Sequence, residues 1–153
     1  MFGSTAADTG WRLMSEPGPT PGAEGAHVLY LDNDEAQVYL AKLSLERRGF
    51  RVSGFTVTEV ALRALLAASD QFDIVVTDLN MPGRSGIDVA IELARLYPSL
   101  PVLVASAYVT EKQRRQALEA GIEHLIEKPS SPQELGAAVE GVLRVAASKA
   151  AEG

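Results

Sequence analysis

The chain has 153 residues, 46% of them hydrophobic and 22% charged, with a formal net charge of −6; that size buries one core without covalent staples, and the balance excludes wholesale disorder. The sequence has no cysteine, so disulfides, iron–sulfur clusters, thiolate zinc sites and cysteine nucleophiles are excluded, and two histidines, His27 and His124, are too few for a histidine-rich metal centre. An acidic chain whose only dense basic cluster is Lys112, Arg114 and Arg115 is a poor ligand for nucleic acid.

In chain order, residues 1–26 come first. They hold five of the 13 glycines and three of the eight prolines, with no apolar period, and read as a flexible tail. Trp11, Leu13 and Met14 are its only candidate docking element. From His27 short apolar runs alternate with helical periods. The predicted strands are HVLYLD (27–32), RVSGF (51–55), FDIVVTD (72–78), PVLVAS (101–106) and IEHLIE (122–127). Nearly continuous apolar runs suit parallel strands covered on both faces.

The helices between them carry their own signals. Ala36, Leu40 and Leu43 share a face in the first, Leu62, Leu65 and Leu66 in the second, and Ile87, Ala90, Ile91 and Ala94 in the third. Gly49 and Gly121 stand where helices stop, and Pro98 ends the third. Thr110 caps a polar helix over 110–120, which should be poorly buried. Ser131, Pro132 and Glu134 open the last helix, which carries Leu135, Ala138, Val139, Val142 and Ala146 on one side. Five strand–helix units in series imply a doubly wound parallel sheet over 27–147, with 148–153 as a short C-terminal tail. No run reaches the about 20 apolar residues of a membrane span, and no signal peptide is present, so the expected compartment is the cytoplasm.

In such sheets ligands bind beyond the C-terminal ends of the strands. There the sequence places Asp32-Asn33-Asp34-Glu35 after strand 1 and Asp78, then Leu79-Asn80-Met81-Pro82-Gly83, after strand 3. Ser106 ends strand 4, and Lys128-Pro129 follows strand 5. Clustered carboxylates repel one another, and a hard divalent cation such as Mg²⁺ relieves that repulsion while leaving positions for phosphate oxygens. A lysine and a hydroxyl bind the remaining oxygens, and an aspartate beside the metal can take the phosphoryl group itself. Each residue also has a plainer reading. Asp34 and Ser106 suit helix caps, Asp78 suits turn chemistry beside Asn80 and Gly83, and Lys128 suits the surface.

The segment TDLNMPGRSG, with an Asp, Met-Pro three residues on and a later Gly, resembles the phospho-acceptor loop of response regulator receiver domains in two-component systems. The acidic turn after strand 1, Ser106-Ala107 and Lys128-Pro129 extend the likeness over about residues 27–147, and VASAY looks most like receivers attached to hybrid histidine kinases. The resemblance implies a flavodoxin-like α/β fold with strand order 2-1-3-4-5 in a stand-alone receiver. It implies Asp78 as acceptor, Mg²⁺ held by Asp32, Asp78 and the Asn80 carbonyl, Lys128 paired with the phosphoryl group, and a cis bond before Pro129. Ser106 would then shift the face built by helix 4, strand 5 and helix 5. The donor would be a phosphohistidine on a histidine kinase or phosphotransfer protein, and output would pass to a downstream protein.

Two departures stand out. Where the family usually has a second acid, this chain has Asn33, which should weaken Mg²⁺, with Asp34 as a compensating ligand if the turn presents it. Where the family has a switch aromatic, it has Leu125, with Tyr108 as a candidate substitute. They motivate an alternative, a binding module independent of phosphorylation. A third reading takes LYLDNDEA as the opening of a haloacid-dehalogenase-like phosphatase, with Asp32 as nucleophile and Asp34 as acid. Against it, Ala36 stands where that family has Thr or Val, no acidic pair follows Lys128, and Asp78 goes unexplained. A flavin phosphate would be repelled by the acidic turn.

Overall fold

The computed structural model describes residues 25–128 and 132–152. The chain alternates β1 (His27–Leu31), α1 (Glu35–Arg47), β2 (Arg51–Phe55), α2 (Thr58–Ala68), β3 (Ile74–Asp78), α3 (Gly86–Leu96), β4 (Val102–Ser106), α4 (Glu111–Glu119), β5 (Leu125–Glu127) and α5 (Pro132–Glu152). All five strands pair in parallel in the order β2-β1-β3-β4-β5, as expected.

The strand period sorts the core into two sides. Val28 and Tyr30 of β1, Ile74 and Val76 of β3, and Leu103 and Ala105 of β4 meet Ala41 and Leu45 of α1 and Leu135, Val139 and Val142 of α5. The intervening residues Leu29, Leu31 and Val75 meet Ala61 and Leu65 of α2 and Val89 and Leu93 of α3. Val104 turns toward Leu79, Ile87 and Ala117 of α4. Each fully buried Leu or Val contributes about 1.5–3 kcal/mol, so the three central strands anchor the site at their ends.

Several expectations need correcting. Ala36, Leu40 and Leu43 do share a face of α1, but it points outward, and Leu40 is 54% exposed. The buried stripe is Val38, Ala41 and Leu45, because a helix lying close on a sheet needs a small residue at its nearest approach. Leu66, Ile91 and Ala94 are likewise exposed. The fifth strand contracts to Leu125–Glu127, since Ile122 packs in the turn after α4. The last helix continues to Glu152, so 148–152 belong to it and not to a tail. The signals for Gly49, with φ of 103°, and for the Thr110 cap, which accepts from the Gln113 amide, hold as read. Residues 1–24, the cis bond expected before Pro129 and the cap expected at Ser131 lie outside the described residues.

Candidate functional site

The turn after β1 starts the site. Asp32 is buried, with one carboxylate oxygen accepting from the Asp34 amide at 3.0 Å and the other from Lys128 Nζ at 2.5 Å. Asp34 is exposed and accepts from the Ala36 amide at 2.9 Å, which makes it the cap of α1. Asn33 is exposed as well. Of Asp32, Asn33 and Asp34, only Asp32 turns into the cluster.

Asp78 ends β3 half-buried. Burial pushes its carboxyl above the ordinary range; Lys128 pulls it down, Asp32 pushes it up, and the Asn80 and Leu79 amides pull it down. The net shift is upward. The loop after it is held from behind by Gly86, whose amide donates to the Leu79 carbonyl at 2.8 Å. A Cβ on Gly86 would sit 2.2 Å from the Asp78 carbonyl oxygen, so only glycine lets α3 start there. Ser85 and Asp88 then cap α3 reciprocally.

Lys128 reaches over from the end of β5, its backbone amide bonded to the Ser106 carbonyl. Burial pulls its ammonium down, but the bond to Asp32 and the charges of Tyr30, Asp32 and Asp78 outweigh that and raise it, so it is a firm cation. Ser106, also buried, donates to the Tyr108 carbonyl at 3.1 Å and accepts from Asn80 Nδ2 at 2.7 Å.

Four sheet strands thus bring Asp32, Asp78, Ser106 and Lys128 to one edge. Tyr108 contributes its carbonyl, while the residue itself is 68% exposed. Leu125 packs half-buried against the apolar cluster that includes its strand partner Val104. Sequence reasoning missed Tyr30, which lies under the cluster and whose phenol is raised by burial; it reads as one more strand residue. It also missed the Asn80 side chain and Gln113, which donates to Asn80 Oδ1 at 2.9 Å. At the opposite edge, a cavity of about 460 Å³ opens between α3, the turn before β5 and the end of α5, and contains none of these residues.

The comparisons with known proteins agree with this fold. The profile of the response regulator receiver domain matches residues 28–140. The chain belongs to that family. This receiver is 32% identical over 117 residues to the alkaline phosphatase synthesis transcriptional regulatory protein PhoP of Bacillus subtilis, covering 76% of the chain and 48% of PhoP. The chain spans about half the length of the curated relatives it matches. Among solved structures, a response regulator receiver domain from Clostridium thermocellum superposes with a TM-score of 0.71 at 24% identity, over 78% of this chain and 94% of that one. The CheX-CheY-BeF3-Mg²⁺ complex from Borrelia burgdorferi gives 0.70 at 22%, over 78% and 90%. These structural likenesses establish the fold, and the family assignment makes the chain a receiver of two-component signalling.

Proposed function

We propose that this receiver accepts a phosphoryl group on Asp78 in a Mg²⁺-dependent reaction, from a phosphohistidine on a kinase or phosphotransfer protein. The observation that carries the reading is the convergence of Asp32, Asp78, Lys128 and Ser106 at one sheet edge. An Asp78 carboxylate oxygen forms a bond to phosphorus, the P–N bond breaks, and its electron pair returns to the imidazole, which is left neutral or takes a proton from solvent. Lys128 would neutralise the new charge, and the Ser106 hydroxyl would turn toward it.

The donor set suits Mg²⁺. Two carboxylates feel each other's charge at the site, and Mg²⁺ is typically held by one or two carboxylates with waters and phosphate oxygens completing its shell. Asp32, Asp78 and the Asn80 carbonyl would hold it, with the Asn33 amide as a neutral neighbour. The ion would supply charge neutralisation of the phosphoryl oxygens.

Signalling through the α4–β5–α5 face to a downstream protein completes the proposal. The reading makes the protein a phospho-acceptor rather than an enzyme on an external ester, and the use of Asp34 as the cap of α1 supports it. The binding-module reading is favoured by the outward position of Asn33 and the apolar setting of Leu125. Intact mass after incubation with acetyl phosphate and Mg²⁺ separates the two. Phosphorylation predicts a gain of one phosphoryl group that is lost in Asp78→Ala and in chelator. No gain from acetyl phosphate or from a histidine kinase would leave the binding module.

A further inference from the structure

The Ser106 hydroxyl is the moving part of the proposed switch, and its bonds decide what moves with it. It has one proton, which goes to the Tyr108 carbonyl, and it accepts from Asn80 Nδ2. The other end of the same amide, Asn80 Oδ1, accepts from Gln113 Nε2 at 2.9 Å. Gln113 is the third residue of α4, and its own Oε1 accepts from the Thr110 backbone amide at 3.0 Å, while Thr110 Oγ1 accepts from the Gln113 amide at 3.0 Å. So a single run of hydrogen bonds leads from the buried hydroxyl through two side-chain amides into the capping box of α4.

We infer that Gln113 is a positioning residue for the Ser106 hydroxyl, acting through Asn80, and that this amide relay ties the hydroxyl's orientation to the N-terminal cap of α4. The regulatory use of the relay rests on the phosphorylation reading above. Each amide uses its oxygen on one neighbour and its nitrogen on the next, so a change at one bond is passed to the other. When the hydroxyl turns toward a phosphoryl group, Asn80 Nδ2 loses its 2.7 Å acceptor and keeps only the 3.5 Å contact to the Tyr108 carbonyl, so the amide is freer to rotate. Gln113 Nε2 then loses its partner, and the Thr110 amide loses the oxygen that Gln113 holds against it. The first turn of α4 loosens as a result. α4 is a suitable receiver for so small an event, because Ala117 is its one buried residue and little packing resists the change. The device also gives this chain a polar path from Ser106 to the α4 surface where Leu125 offers no hydrogen-bonding tip.

The competing route runs along the backbone, since Ser106 and Thr110 are close in sequence and Ser106 also holds the Tyr108 carbonyl. The test separates the routes in phosphate-free protein by hydrogen exchange at the Gln113 and Arg114 amides. Ser106→Ala removes the nearer acceptor of Asn80 Nδ2. The relay predicts roughly fivefold faster exchange at these amides, about the worth of one hydrogen bond. It further predicts that Ser106→Ala adds nothing in an Asn80→Ala or a Gln113→Met background, a non-additive cycle. Asn80→Ala leaves the Gln113 and Thr110 side chains themselves unaltered, so its result does not rest on the Gln113→Met substitution alone. An unchanged Ser106→Ala effect in both backgrounds assigns the coupling to the backbone and overturns the relay. So does no effect of Ser106→Ala at all. A parallel mass assay with acetyl phosphate and Mg²⁺ reports on the phosphorylation reading alone, so failure there is distinguishable from failure of the relay.

Discussion

Asp78 bears a cost in the folded protein that the proposed chemistry requires. Its carboxyl is raised, by burial first and by the Asp32 charge, against the pull of Lys128 and two backbone amides. A carboxyl raised on folding favours its neutral form, so the ionised form weakens the fold above the raised pKa, and that penalty fades as pH falls through it. Asp78→Asn keeps the shape and removes the charge. It is expected to raise Tm by roughly 2–4 °C at pH 7, with the gap to the natural protein closing as the pH is lowered. Thermal unfolding followed by circular dichroism across that range checks both parts; a gap that widens in acid would contradict the assignment. At this scale the sequence was legible where a strand end fixes the residue. Asp32, Asp78, Ser106 and Lys128 follow apolar runs whose burial dictates their place. The Asn80 side chain and Gln113 were not legible, because their bond joins residues 33 apart across a loop and a polar helix with no shared period.

At the scale of elements, the acceptor loop and α1 give opposite lessons. The glycine at the start of α3 was visible as part of a motif, yet its reason is steric: a Cβ there meets the Asp78 carbonyl oxygen at 2.2 Å and Leu79 Cα at 2.8 Å, both backbone atoms that cannot swing aside. Gly86→Ala is therefore expected to cost about 1–3 kcal/mol in urea unfolding and to slow phosphoryl uptake by Asp78, since the loop carrying the carboxylate must shift. Wild-type uptake in a stably folded variant would show that the loop tolerates the displacement. α1 was misread for an energetic reason. Leucines count heavily in any apolar tally, but the sheet-facing stripe of α1 includes Ala41 with Leu45, and Leu40 faces outward. Leu45→Ala should cost about 2–5 kcal/mol through the cavity it leaves, whereas Leu40→Gln should stay within about 0.5 kcal/mol. Denaturant midpoints of the two variants, measured side by side, would expose a wrong assignment of the buried face by reversing that order.

For the whole molecule, the fold and the proposed ion site are linked through mass action. The doubly wound order was legible because β1, β3 and β4 are buried on both faces and leave long apolar runs, while the length of α5 and the shortness of β5 depend on packing that no local pattern records. That sheet holds Asp32 and Asp78 together only when folded, so an ion bound between them stabilises the native state and not the unfolded chain. At a Mg²⁺ concentration about 100-fold above its dissociation constant, the gain is about 2.7 kcal/mol, or roughly 5–10 °C in Tm for a domain of this size. A chelator should remove the shift, and Asp32→Asn should abolish it. Asn33→Asp adds a charge next to the pair at a position now exposed to solvent. A further carboxylate near a divalent ion contributes about 1–2 kcal/mol even in water, so titration calorimetry should find Mg²⁺ bound roughly tenfold more tightly. The thermal shift should then appear at correspondingly lower Mg²⁺. If Asn33→Asp leaves the affinity unchanged, the turn after β1 directs position 33 away from the ion, and the neutral residue there is not what limits metal binding.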